Sequence, residues 1–269
     1  MSSVVSEGGS VLSISVLVPV LGRPQNARPV LESLRSTSDA ELVFIVTAND
    51  LEELDACRMA VTLDRGSSRT LVVEEWRSHD YPKKMNHAYG ETISDWVLLG
   101  SDDITFEPGW QDELLRAARA TGKSVIGTND KANRLVMKGI FSTHALVARA
   151  YVEEQGGCLE GPGHLVSEVY EHNFPDRELA ALAQSRDEWV FAPRAVIRHR
   201  HPAFGTAPQD ATYEKGREHF LEDQARFWER AEQWGNVGLI PQELQVKDRS
   251  KKRTARLAAT ARARRERGT

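Results

Sequence analysis

Short apolar runs alternate with amphipathic segments along most of this 269-residue chain, and this alternation restricts the fold more than any other feature. Three of the runs are SISVLVPV, LVFIVT and WVLL, at 13–20, 42–47 and 96–99. These runs have the length of buried strands. Between the first two, Ala27, Val30, Leu31 and Leu34 recur at helical spacing. Strands that alternate with helices predict an α/β layer fold.

The same criteria predict the later elements. They give a helix over 82–94, strands over 125–128 and 142–147, two separate strands in WVFAP and AVIRH (189–193 and 195–199), and a helix near 177–185. The aromatic residues Tyr213, Phe220, Phe227 and Trp234 stand seven residues apart and predict one final helix with an apolar stripe.

Charge is distributed unevenly along the chain. The last 23 residues hold ten Lys/Arg and two acids, whereas the chain as a whole has a net charge of −4. We therefore predict a domain over 1–240 and a basic, disordered or helical tail over 241–269. Two cysteines are too few for a disulfide framework, which favours the cytoplasm, and no apolar run predicts an integral membrane segment.

An acidic pair follows the buried run WVLL. Asp102 and Asp103 are adjacent in WVLLGSDDITF, at the point where a strand leaves the core. Ligands bind beyond the carboxyl ends of strands in open α/β sheets, and paired carboxylates suit Mg²⁺ or Mn²⁺. Such a pair also suits a simple turn, because Asp favours turns and helix caps.

Two further polar segments also carry residue types that suit an active site. RHRHP carries His199 and His201, and a neutral imidazole could bind the same cation. NFPDREL places Asp176 in the first turn of a helix, where it could act as a general base or cap the helix. Glu178 is the second candidate for the base.

Two basic segments could contact phosphate. YPKKMNHAYG places Lys83 and Lys84 in the first turn of a helix, where backbone N–H groups attract anions. PVLGRPQN places Arg23 in the loop after the first strand. Solvated surface is the commoner role for lysines and loop arginines of this kind, so both segments could instead be surface.

The order of these segments resembles that of the GT-A glycosyltransferases, and most closely glycosyltransferase family 2 and its bacterial and phage relatives. The resemblance covers residues 14–234. The most specific stretches are KMNHAYGETISDWVLLGSDDITFEPGW and EHNFPDRELAALAQSRDEWVFAPRAVIRHRHP. It implies a Rossmann-like fold with a mostly parallel central sheet flanked by helices.

The resemblance also implies roles for individual residues. The donor-binding residues would be Pro19, Leu21, Arg23, Asp50, Lys84, Asn86 and Asp102. A divalent cation, Mn²⁺ or Mg²⁺, would be held by Asp102, Asp103 and His199. Asp176 would be the base of an inverting transfer from a UDP- or GDP-sugar to an acceptor hydroxyl on a protein, a glycan or modified DNA. The cation would then neutralise the acidic pair.

The chain departs from the family pattern at two positions. Gly100 stands where the first acid of the metal-binding DxD motif is expected, and Pro175 replaces the Glu before Asp176. Two other functions stay open on the sequence. One is a nucleotidyltransferase, which would release pyrophosphate, and the other is a non-catalytic protein that binds a nucleotide sugar or nucleic acid.

Overall fold

The computed structural model describes residues 12–76 and 80–234. The predicted tail over 241–269 lies outside the described residues. The strands are β1 (Ile14–Pro19), β2 (Glu41–Thr47), β3 (Ser68–Val73), β4 (Trp96–Leu99), β5 (Ile104–Phe106), β6 (Val125–Asn129), β7 (Leu146–Ala148) and β8 (Trp189–His199). The helices are α1 (Ala27–Arg35), α2 (Leu51–Leu63), α3 (Asp80–Gly90), α4 (Trp110–Thr121), α5 (Arg134–Met137), α6 (Arg149–Glu154), α7 (Pro175–Ser185), α8 (Ala211–Glu218) and α9 (Phe220–Ala231).

The strands form one mixed sheet in the order β3-β2-β1-β4-β7-β6-β8-β5. Strands β3, β2, β1 and β4 run parallel to one another, as the alternation of strands and helices predicts. Beyond β4 the pairings of β7 with β4 and β6, and of β5 with β8, are antiparallel. Only β6 and β8 pair in parallel there. The prediction of a mostly parallel sheet is therefore wrong for this half, because β5 and β7 pair with strands that are distant in the sequence and run in the opposite direction.

Helices cover both faces of the sheet. Alternate residues of β1 point to opposite sides: Val16 and Val18 pack with α1, α2 and α4, whereas Leu17 packs with α3, α6 and α7. The side chains of β1 and of the centre of β2 are buried throughout. A sheet buried on both faces explains why these strands read as continuous apolar runs.

Several predicted elements differ in the structure. The strand predicted over 142–147 is confined to Leu146–Ala148. The final helix is two helices, α8 and α9, which meet at His219, so Tyr213 and Phe227 lie on separate helices. WVFAP and AVIRH form the single strand β8, and helix α3 ends at Gly90, before the predicted position 94.

No helix in the described ranges, 12–76 and 80–234, is long and apolar enough to cross a membrane. Cys57 and Cys158 are both buried free thiols, and burial raises the pKa of each.

Candidate active site

A cavity of about 760 Å³ opens at the carboxyl ends of β1 and β2. Its lining comes from the loops after these strands, from the start of α3 and from α8. Lining residues that could contact a ligand include Leu21, Asp50, Trp76, Lys84, His172 and Lys215. The parallel strands β1 and β2 end at the same edge, so their loops form one wall, as expected for a ligand site in an α/β sheet.

Arg23 lies against the acidic pair that follows β4. Its Nη1 is 2.9 Å from Asp102 Oδ1 and 3.4 Å from Asp103 Oδ2, and its Nε is 2.8 Å from Asp210 Oδ2. The guanidinium also stacks on Tyr213, 3.8 Å from the ring centroid. Arg23, Asp102 and Asp103 are all buried. An internal guanidinium therefore contacts both carboxylates of the pair and offsets part of their charge in this structure.

The two carboxyl groups have pKa values shifted in opposite directions. Burial and the charge of Asp103 raise the pKa of Asp102 above its ordinary value, against the favourable contact with Arg23. Burial alone would raise the pKa of Asp103 as well. The charge and hydrogen bond of His199, together with hydrogen bonds from Ser101 and Tyr213, outweigh burial and hold that pKa below its ordinary value.

The expected cation ligands lie in one cluster. His199 Nε2 is 3.3 Å from Asp103 Oδ1, and the buried Nδ1 of His199 has no hydrogen-bond partner among the described residues. Within residues 12–76 and 80–234, however, no three acidic, histidine or cysteine side chains are arranged to hold a metal ion. Because Arg23 occupies the space between the two carboxylates, the cluster as it stands does not fit a cation.

His201 and Gly100 have distinct local roles. The Nδ1 of His201 accepts a hydrogen bond from the backbone of Ala203 at 3.1 Å, so this ring shapes the loop after β8.

A Cβ at Gly100 would lie 2.6 Å from the carbonyl oxygen of Leu17. An acid at this position of the motif is thus sterically excluded unless β1 and β4 move apart.

The donor-binding residues predicted at the ends of β1 and β2 divide into those that line the cavity and those that do not. Leu21 and Asp50 line the cavity, and Asp50 also caps α2 by accepting a hydrogen bond from Glu53 N at 3.1 Å. Pro19 ends β1, and Arg23 is held by the acids. Leu21 N donates to Asp102 at 3.1 Å, which connects the cavity wall to the acidic pair.

The two predicted residues on α3 also differ. Lys84 lines the cavity, but its side chain is buried, and its Nζ lies 3.0 Å from both Val20 O and Asp80 Oδ2. Asn86 forms hydrogen bonds with the backbone of Val166, and it is absent from the described lining residues. Asn86 therefore fixes the loop that contains Val166.

Asp176 and Glu178 lie in very different surroundings. Asp176 is part-buried in the first turn of α7, and burial raises its pKa to about 6 in spite of the neighbouring Arg177 charge. Glu178 is fully buried and accepts hydrogen bonds from Tyr170 at 2.6 Å and from both ends of the Arg230 fork. Because its oxygens are occupied, Glu178 is a structural residue.

Similar structures share this arrangement of elements. A mannosyltransferase from Pyrobaculum calidifontis, in complex with GDP-Man and Mn²⁺, matches with a TM-score of 0.61 and 13% identity over 80% of this chain and 64% of that chain. S. aureus TarS 1–349 in complex with UDP-GlcNAc gives 0.56 and 12%, over 80% and 66%. Glucosyl-3-phosphoglycerate synthase from Mycobacterium tuberculosis gives 0.50 and 13%, over 71% and 72%.

This chain has a GT-A fold. It spans a little under two thirds of the length of the first two structures that it matches, the mannosyltransferase and TarS. No family model matches the sequence, and neither does any curated protein. At these identities the similarity establishes the GT-A fold, and the bacterial or phage type stays a prediction.

Several residues of the candidate site were missed in the sequence. Asp210 caps α8 by accepting from Tyr213 N at 3.0 Å, and the Tyr213 hydroxyl donates to Asp103 at 2.7 Å. Thr212 donates to Leu21 O at 2.6 Å, which holds α8 against the cavity wall. The spacing of Asp210 from the following helix is a recognisable cap signal, but it does not reveal that the helix packs against the acids.

Proposed function

We propose that this chain transfers a glycosyl group from a nucleoside-diphosphate sugar to an acceptor hydroxyl. One observation carries the proposal: the cavity at the carboxyl ends of β1 and β2 lies beside the acidic pair, in a fold shared with proteins bound to GDP-Man and UDP-GlcNAc. Its volume is within the range of pockets that bury a ligand of nucleotide size.

The cavity walls offer groups for each part of such a donor. Asp50 can accept hydrogen bonds from a nucleobase or ribose, and the ring of Trp76 offers a surface for a base. Lys84 and Lys215 supply positive charge toward a diphosphate. A UDP- or GDP-sugar is the donor class that we propose.

Asp176 is the proposed catalytic residue. In an inverting transfer, its carboxylate takes the proton of the acceptor hydroxyl as that oxygen bonds to the anomeric carbon. The bond from this carbon to the diphosphate breaks in the same step, and the nucleoside diphosphate leaves with the electron pair. The raised pKa of Asp176 suits a base that works near neutral pH.

A divalent cation stays a prediction for this chain. The mannosyltransferase of the same fold is described with Mn²⁺, and Asp102, Asp103 and His199 supply the donor types that such an ion binds. Because Arg23 contacts both carboxylates here, the proposed transfer is stated without a metal-dependent step. Whether Arg23 and a cation compete can be measured directly.

The test is a donor screen followed by product analysis. Thermal midpoints are measured with UDP-, GDP- and dTDP-sugars, because a ligand at 100 times its Kd stabilises the native state by about 2.7 kcal/mol. The stabilising donor is then prepared in two forms, one labelled in the sugar and one labelled in the nucleotide. Glycosyl transfer or donor hydrolysis separates the two labels, because the labelled sugar leaves the donor and the nucleotide is released as nucleoside diphosphate.

The same assays would identify either of the two alternative functions. Release of pyrophosphate from a nucleoside triphosphate, with no cleavage of a nucleotide sugar, would indicate a nucleotidyltransferase. Donor binding without turnover or hydrolysis would indicate a binding protein. The catalytic domain over 1–240, the acceptor and the cytoplasmic location stay predictions.

A further inference from the structure

A short irregular segment connects the cavity to Asp176. Glu171 and His172 line the cavity, Asn173 and Phe174 follow, and α7 begins at Pro175. Phe174 has a φ of +78°, in the left-handed region that is unfavourable for a residue with a side chain. A segment of this kind keeps one conformation only when its surroundings impose it.

Asp223, in the first turn of α9, binds three consecutive backbone N–H groups of this segment. Its Oδ1 accepts from Glu171 N at 2.8 Å, and its Oδ2 accepts from His172 N at 3.0 Å and from Asn173 N at 2.8 Å. Asp223 is fully buried and is not among the described lining residues of the cavity.

The chemistry of the contact requires a carboxylate. A carboxylate is an acceptor at both oxygens, whereas an amide of the same shape would direct an NH₂ group at a backbone N–H. Arg226 Nη1 adds an ion pair with Asp223 Oδ1 at 3.1 Å, but the Arg226 side chain is 36% exposed. The three backbone contacts, made by a carboxylate that is itself fully buried, therefore carry most of the interaction.

Other contacts hold the side chains of the same segment. Asn173 Nδ2 donates to Gly216 O of α8 at 2.8 Å, and the His172 ring packs edge-on against Tyr81 at 5.6 Å between centroids. Phe174 packs against Phe220 and Phe227 of α9, at 5.3 Å from each ring. The backbone is thus held by Asp223 and the side chains by α3, α8 and α9.

We infer that Asp223 is a positioning residue for the proposed transfer: by binding the N–H groups of residues 171–173, it fixes where α7 begins and hence where the Asp176 carboxylate lies. This inference rests on the proposed function and goes beyond it, since it assigns a role in turnover to a residue that does not line the cavity. Helix α9 thereby becomes part of the catalytic unit.

The experiment compares three variants of the full chain. Asp223→Asn keeps the shape and removes the second acceptor, and Arg226→Ala removes the ion pair while leaving the three N–H contacts. Asp64→Asn is the control for loss of a buried acid, because Asp64 pairs with Arg35 and accepts from Gly66 N in a different part of the fold. Thermal midpoint, UDP and GDP affinity, and kcat and KM for donor turnover are measured for each.

We expect Asp223→Asn to lower kcat at least tenfold and to change KM less than threefold, since the loops after β1 and β2 still bind the nucleotide. Arg226→Ala and Asp64→Asn should keep kcat within twofold of the wild type. If Asp223→Asn also keeps kcat within twofold, or if Asp64→Asn lowers kcat equally, the positioning role is wrong. If the wild type binds no nucleotide, the proposed function itself fails.

Hydrogen exchange in the wild type gives a second measurement that does not depend on whether a variant folds. The amides of residues 171–173 lie outside helices and strands, so without Asp223 they would exchange like those of an open loop. We expect protection of at least a hundredfold over the rate of an unstructured peptide. Exchange within tenfold of that rate would overturn the inference.

Discussion

Arg23 and Asp102 form a buried ion pair, with 2.9 Å between Nη1 and Oδ1, at the position where the sequence predicts a bound cation. Like charges at Asp102 and Asp103 need a neutralising partner, and in this structure the loop after β1 supplies it. A metal ion and a guanidinium cannot occupy the same space between the two carboxylates. The predictions below start from this competition.

Replacement of Arg23 should create a stronger cation site. We expect Arg23→Ala to bind Mn²⁺ at least tenfold more tightly than the wild type, because it leaves two buried carboxylates without their counterion. Free Mn²⁺ is measured by electron paramagnetic resonance in the absence of nucleotide. Arg35→Ala removes the arginine of the Arg35–Asp64 ion pair and should leave Mn²⁺ binding unchanged. Equal affinity in all three proteins would contradict the competition.

Asp102→Asn and His199→Ala should reduce any metal-dependent part of donor binding. His199→Ala should do so more than His201→Ala, because His199 contacts Asp103 whereas the His201 ring is bound to the loop backbone. The measurement is the affinity for UDP and GDP with and without Mn²⁺. If Mn²⁺ changes neither wild-type nor mutant affinity, these residues do not hold a cation.

Turnover should fall as pH drops below about 6. The pKa of Asp176 is raised to about 6. Below this pH the carboxyl group is protonated and cannot take the proton of the acceptor hydroxyl, whereas above it the carboxylate is available as a base. Asp176→Asn should lower kcat by about 10²- to 10⁴-fold and remove this acidic limb. Nucleotide affinity should stay within a few-fold.

Glu178→Gln is the matched control for this assignment. It should lower the free energy of unfolding by about 3–5 kcal/mol, because Arg230 loses its buried partner. Turnover per folded molecule should stay within a few-fold of the wild type. A loss in Glu178→Gln as large as in Asp176→Asn, with an unchanged melting temperature, would reassign the base.

The basic tail over 241–269 could hold a nucleic-acid acceptor near the site, because clustered Lys/Arg residues favour phosphate polymers. Truncation after Pro241 tests this hypothesis. If the acceptor is a nucleic acid, full-length protein should bind DNA with an affinity that falls steeply as salt rises, since each neutralised phosphate releases counterions. The truncated chain should lose that affinity and keep nucleotide binding. Absence of DNA binding by the full-length protein at low salt would favour a protein or glycan acceptor.

Local patterns in the sequence predict the first half of the fold well, because β1, β2 and β4 are continuous apolar runs between amphipathic helices. The antiparallel pairings could not be predicted in this way, since a pairing such as that of Ile104 with His199 depends on contacts between distant residues. The break at His219 was also missed, because aromatic residues spaced seven apart do not show where one helix ends and the next begins.

The candidate site shows the same limit. Positions such as Asp50 and Asp176 follow from strand ends and helix starts, which are local signals. The contact of Arg23 with Asp210 joins residues 187 positions apart, and the three N–H groups bound by Asp223 lie about fifty residues before it. Residue types alone give no sign of either contact.

The close approach of Gly100 to Leu17 limits how this site can be redesigned. A mutation that introduced an acid at position 100 would place its Cβ against the backbone of β1, so it would destabilise the protein. An attempt to add a third carboxylate beside Asp102 and Asp103 would therefore have to use other positions around the cavity.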